Sequence, residues 1–169
     1  MKKIICFVFV AFIGLLNVTA QDVYLNQSNL NAYVEDLSIK LKTLQHDYDL
    51  LYCRFELERC ENELVKLENS LKIATNTLLM DCYHGRFEIE LYNLYITNYN
   101  ASVELFDTLK EGVDKTRAAV KLKLDSSNFT DVETKLLLHK SSILDNCIDK
   151  VKISLDYYKF VADYYKGLK

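Results

Sequence analysis

The chain has 169 residues and a formal net charge of −3, with no cluster of basic residues, a balance that argues against phosphate backbones and anionic lipid as leading partners. Half of it is hydrophobic, enough for one domain with a real core, yet it holds no proline and only 4 glycines. So few breakers among so much Leu, Lys, Glu and Asp predict long helices and leave no strand alternation to follow.

The first element is a targeting segment. Lys2 and Lys3 precede an apolar run from Ile4 to Leu16, and Val18-Thr19-Ala20 supplies small residues for a cut. That is the layout of a cleaved signal peptide over residues 1–20, its apolar core too short to span a bilayer comfortably. The expectation is a secreted, extracellular mature domain over 21–169. No second long apolar run follows, so no membrane span is expected after cleavage.

Ser28 is a natural N-cap, and Leu30, Val34, Leu37, Leu41, Leu44, Tyr48, Leu51 and Phe55 follow it in alternating steps of four and three. That spacing is a coiled-coil seam. After a phase shift it resumes at Cys60, Leu64, Leu67, Leu71, Ala74 and Leu78. One helix is predicted over 28–81, ending at the turn signal of Gly85. A second is predicted over 86–124, burying Phe87, Leu91, Leu94, Val103, Phe106, Leu109, Val113 and Val120, with Asn98-Tyr99-Asn100 and Gly112 as weak points. The polar stretch 125–129 is a loop. Thr130 and Glu133 then form a capping box that starts a third helix over 131–167, with its seam at Leu137, Ser141, Leu144, Ile148, Val151, Leu155, Tyr158, Ala162 and Tyr165.

Short connections make neighbouring helices antiparallel. The expected fold is therefore all-α: an elongated up-down-up three-helix bundle whose first helix overhangs at its N-terminal end. A break near Asn69-Ser70 would give four helices instead.

Of the five cysteines, Cys6 leaves with the signal, and Cys53, Cys60, Cys82 and Cys147 remain. An even count in an oxidising compartment suggests two disulfides. Cys53 and Cys60 lie about 10 Å apart along one helix, too far to bridge each other. Folding back at Gly85 and restarting at Thr130 brings Cys147 level with Cys60. A Cys60–Cys147 staple follows, worth about 3–5 kcal/mol in the chain-entropy picture. Cys53 and Cys82 could pair only if the first helix bends back; otherwise they are free or bridge to another molecule.

Catalysis needs a nucleophile, acid or base beside an orienting partner. His46, His84 and His139 fall on different elements with no motif around them, and neither a nucleophile elbow nor a phosphate-cradling glycine loop is present. No metal-ligand spacing and no cofactor signature stand out, so the expectation is a protein that is not an enzyme. Sequons at Asn26, Asn100 and Asn128 mark an expected glycoprotein, with Asn128 best placed because it sits in the loop.

Tyrosine is in excess: 12, against no tryptophan. Tyr92, Tyr95 and Tyr99 share a stripe of the second helix, and the register brings them to the same end as Tyr158 and Tyr165. Two readings compete, namely ring packing with wet hydroxyls and a recognition surface. The apolar seam from Leu30 to Tyr48 poses the same choice between a partner helix and the chain's own helices. The function expected is non-catalytic binding, with a helical protein partner or self-association first. The second reading is a carrier of a small apolar ligand in an interhelical pocket at the tyrosine-rich end.

The spacing Tyr48…Cys53…Cys60…Cys82 on helical sequence behind a signal peptide resembles insect secreted proteins of the tsetse EP type. The likeness covers about half the chain and rests on cysteine spacing and composition. It implies a helical secreted protein without enzymatic activity, and it brings no functional residue with it.

Overall fold

The computed structural model describes residues 27–86 and 88–168. The signal layout of residues 1–20, the sequon at Asn26 and the side chain of Phe87 lie outside them. The described residues form three helices: α1 (Gln27–Tyr83), α2 (Ile89–Ser126) and α3 (Asp131–Gly167). The fold is all-α. α1 runs unbroken through Asn69 and Ser70, so the four-helix alternative is not realised, and α2 continues through Asn98–Asn100 and Gly112.

Local chemistry sets the ends. Gly85 adopts a φ of 64°, in the left-handed region where only glycine is unstrained. The Arg86 N–H reaches the Asp81 carbonyl at 3.0 Å and the Gly85 N–H reaches Cys82 at 3.2 Å, the paired bonds of a Schellman stop. At the start of α3, Thr130 accepts the Glu133 N–H at 3.3 Å while the Glu133 carboxylate accepts the Thr130 N–H at 2.8 Å. Replacing Thr130 with alanine should therefore cost about 1 kcal/mol in chemical denaturation. Thr130 also completes the Asn128 sequon, so the comparison calls for unglycosylated protein, with Thr130→Ser expected to restore the midpoint. An unchanged midpoint for the alanine variant would show that the box contributes nothing.

The chain divides at Thr43–Leu44 into two units. In the first, the described part is the opening stretch of α1, where Leu30, Tyr33, Val34, Ile39 and Leu41 are all exposed. The second is a three-helix bundle. Lys123 of α2 meets Asp49 of α1 at 2.8 Å, and farther along Cys60 meets Thr116 at 3.4 Å, so these helices are antiparallel. His46 meets Glu133 and Lys140 meets Glu58, so α3 runs parallel to α1, as the up-down-up order requires.

Cys53, Leu57, Cys60, Leu64, Leu67 and Leu71 carry α1's share of the main core. Opposite them stand Val113 and Val120 from α2, and Leu137, Leu144, Cys147, Val151 and Leu155 from α3. The α3 seam is buried nearly as expected, with Ser141 and Ile148 half-buried. In α2 the expectation fails at Leu94, which is 52% exposed, because Tyr95 beside it takes the inward position at 6%.

Candidate functional site

Three places could do something chemical or recognise something: the tyrosine-rich end, the cysteines, and the outward face of α1. The tyrosines do gather, as the register demands. Tyr95, Tyr158 and Tyr165 are buried with Leu78, Val161 and Ala162, and Tyr92 and Tyr99 pack half-buried against them. Tyr99 stacks on Tyr158 at 6.2 Å and Tyr95 meets Tyr165 edge-on at 5.7 Å.

Their hydroxyls are spent internally. Tyr158 donates to the Tyr95 carbonyl at 3.0 Å, and Tyr95 donates to the Asp81 carboxylate. Tyr165 accepts the Glu88 N–H at 3.0 Å and donates to the Arg86 carbonyl, so α3's last turns fasten the α1–α2 connection. Burial, and then the Asp81 carboxylate, push the Tyr95 phenol far above its ordinary range; burial alone raises Tyr158. The recognition surface expected at Tyr92, Tyr95, Tyr99, Tyr158 and Tyr165 is thus corrected: three of the five rings are core. Packing prevails because each ring covers apolar area while a backbone or carboxylate partner satisfies its hydroxyl. Outward rings at this end include Tyr83, Tyr157, Phe160 and Tyr164, all more than half exposed.

Among the described residues Cys53, Cys60, Cys82 and Cys147 are all thiols, with Cys53, Cys60 and Cys147 buried and Cys82 half-buried. Cys147 lies within electrostatic reach of Glu61 and Glu68 of α1, close to the level of Cys60. Burial and the neighbouring carboxylates raise its thiol, whereas Cys60 turns its sulfur to Thr116 of α2. The unbroken α1 holds Cys53 and Cys82 about 40 Å apart at 1.5 Å per residue, so they cannot bridge each other.

The bundle's α1–α2–α3 corner is a polar lock that sequence reading did not single out. Asp49, 5% exposed, receives Lys123 at 2.8 Å, Gln45 at 3.0 Å and Ser127 at 3.1 Å. Burial by itself would raise this carboxyl, but the three donors together outweigh it and hold it below the usual range. Its signal was available as an Asp on the inward phase of the helix, with Gln45 one turn before it, but the other two donors come from α2 and the loop after it. Nearby His46 stands 3.3 Å from both Asp47 and Glu133 and meets the Phe129 ring edge-on at 5.4 Å. With Glu133 committed to capping Thr130, this group anchors a loop. Among the described residues, no three His, Cys, Asp or Glu side chains gather where an ion could be held.

The remaining surface is the outward side of α1. On the first unit Leu30, Val34 and Leu41 are exposed and Leu37 half-buried; on the second, Leu44, Tyr48, Leu51 and Phe55 are 48–66% exposed. At about 100° per residue the latter four point opposite Asp49, Cys53 and Leu57, which face the bundle. Of the two readings open for this seam, packing by the chain's own helices does not hold for Leu44, Tyr48, Leu51 and Phe55. Between α1 and α3 lies a groove of about 280 Å³ lined by Lys72, Thr75, Asn76, Ser154 and Tyr157. Asn100 and Asn128 are both exposed. Among the described residues, no helix is long and apolar enough to cross a membrane. No family model, no curated protein and no solved structure matches this chain.

Proposed function

We propose that this is a secreted, non-catalytic interaction protein that binds another protein's helix along the outward stripe of α1. One observation carries the reading: Leu44, Tyr48, Leu51 and Phe55, at heptad spacing on the bundle's part of α1, are left uncovered by the helices packed beside it, and on the first unit Leu30, Val34 and Leu41 of the same repeat are exposed as well. A repeat of that regularity has no use on a solvated face and suits a facing helix. The carrier reading loses support, since the space between helices at the tyrosine-rich end is filled by Tyr95, Tyr158 and Tyr165.

Secretion rests on the basic–apolar–small layout of residues 1–20, and protein recovered from medium should begin at Gln21. In the oxidising compartment Cys60 and Cys147 are the pair we favour, because they share one cluster at nearly one level. Glycans belong on Asn128 and Asn100, both of which face water.

Affinity capture tests the binding reading. Immobilised protein and its Leu51→Glu variant are offered the native secretion. Leu51 is 64% exposed and outside the core, so the variant should melt at the wild-type temperature. Retention of a defined protein by the wild type and its loss with the variant is the expected result. Equal retention by both would remove α1's stripe as the binding surface.

A further inference from the structure

We infer that the bundle's part of α1 pairs with the same stretch of a second copy of this chain, the two running antiparallel about a two-fold axis level with Asp49 and Leu50. The inference rests on the helix-binding reading above and makes it specific. The pairing surface lies wholly within the bundle unit, Leu44–Lys169. It consists of Leu44, Tyr48, Leu51 and Phe55, 48–66% exposed, and Tyr52 widens it by stacking on Tyr48 at 6.4 Å. Antiparallel helices set each core position of one against the complementary core position of the other. With the axis at that level, Leu44 meets Phe55 of the second copy and Tyr48 meets Leu51, each twice by symmetry. Every layer therefore sets an aromatic ring against a leucine, so large and small side chains fill the seam together.

Charge complementarity selects the second copy and this register. Asp47 and Arg54 lie seven residues apart on one edge of the stripe, and the pairing brings Asp47 beside Arg54 of the second copy on both sides of the axis. On the other edge Gln45 comes beside Tyr52, an amide against a phenol. A slip of one heptad one way sets Arg54 against Arg54 and Asp47 against Glu61, and it draws Glu58 and Asn62 into the seam opposite Tyr48 and Leu44. A slip the other way sets Asp47 against Asp47 and leaves only Leu44 and Tyr48 facing stripe residues of the bundle unit. A parallel pair would place Arg54 beside Arg59 and stack Tyr48 on Tyr48 and Phe55 on Phe55. Arg54 is exposed and enters no ion pair among the described residues, while Asp47 gives one oxygen to His46 at 3.3 Å and keeps the other. Asp49, Cys53 and Leu57 face the bundle on the opposite side of α1, so the stripe is open to a facing helix.

The test is the oligomeric state of the full mature chain by sedimentation equilibrium. Wild type should be a dimer that Phe55→Glu, at a position 63% exposed, turns into a folded monomer. Arg54→Asp should raise the dimer Kd about tenfold, and adding Asp47→Arg should restore it. Orientation is read by mixing two single variants, Leu44→Cys and Phe55→Cys, under oxidation and mapping the crosslinked peptides. Antiparallel pairing yields a disulfide that joins the two different positions. Disulfides between like positions would establish a parallel pair and overturn the inference. So would a wild type that stays monomeric at about 100 μM, a concentration well above the micromolar Kd expected of a small interface. A monomer that captures a different protein, and loses it on Leu51→Glu, would end self-pairing while leaving the helix-binding reading intact.

Discussion

Truncating Tyr158 to alanine is expected to lower unfolding stability by about 3–5 kcal/mol, the largest effect of any single change proposed for this chain. The side chain is 1% exposed, stacks on Tyr99 and sits among Leu78, Tyr95, Val161 and Ala162. Deleting it loses the transfer free energy of the ring and opens a cavity that two fixed helices cannot close. Tyr158→Phe keeps the ring and loses only the bond to the Tyr95 carbonyl, at about 1 kcal/mol. Tyr157 is next in sequence yet 51% exposed, so Tyr157→Ala should change stability by less than about 0.5 kcal/mol. Equilibrium denaturation of the three variants decides the matter. Equal costs for the two alanine variants would mean that the ring of Tyr158 is not core.

Lys123→Met should cost more than Asp49→Asn, although both break the same contact. Removing Lys123 strands a buried carboxylate with only Gln45 and Ser127 as donors, a loss of about 2–3 kcal/mol near neutral pH. Removing the carboxylate frees Lys123, whose side chain is 36% exposed, to turn to water, at about 1–2 kcal/mol. The two variants also differ in pH response. In wild type the folded carboxyl lies below its unfolded value, so its contribution is complete above the unfolded carboxylate range and drains away as pH falls through the folded value. Without Lys123 the folded value moves up towards the unfolded one, since only Gln45 and Ser127 remain to oppose burial. The variant should then lose less stability than the wild type as pH falls below the unfolded carboxylate range. Parallel acid titrations of both proteins would show it, and identical slopes would refute the assignment of Lys123 as the dominant donor.

The helix ends were legible because their chemistry is local. Gly85 stops α1 through two backbone bonds within five residues, and Thr130 and Glu133 start α3 by reciprocal capping across three. The order and direction of the helices followed, since short connections leave antiparallel packing as the compact choice. The α3 seam was equally readable, because one apolar stripe on that helix runs from Leu137 to Tyr165, broken only at Ser141, and leaves a single face to bury.

Two things waited on the tertiary structure. α1 carries two apolar stripes on opposite faces, Leu44–Phe55 and Cys53–Leu71, and periodicity ranks both alike. Which one is buried depends on where α2 and α3 pack along α1, and that contact joins residues more than fifty positions apart. The tyrosines were undecided for the same reason. A ring at helical spacing serves a core or a surface equally well until a partner for its hydroxyl is placed. Here the Asp81 carboxylate and the Arg86 and Tyr95 carbonyls are those partners, and they bring Tyr95, Tyr158 and Tyr165 inside. Sequence by itself determined the elements, their ends and their order, because capping and periodicity act within a few residues. Only the packed bundle decided which faces meet, because burial depends on what the rest of the chain brings to the same place.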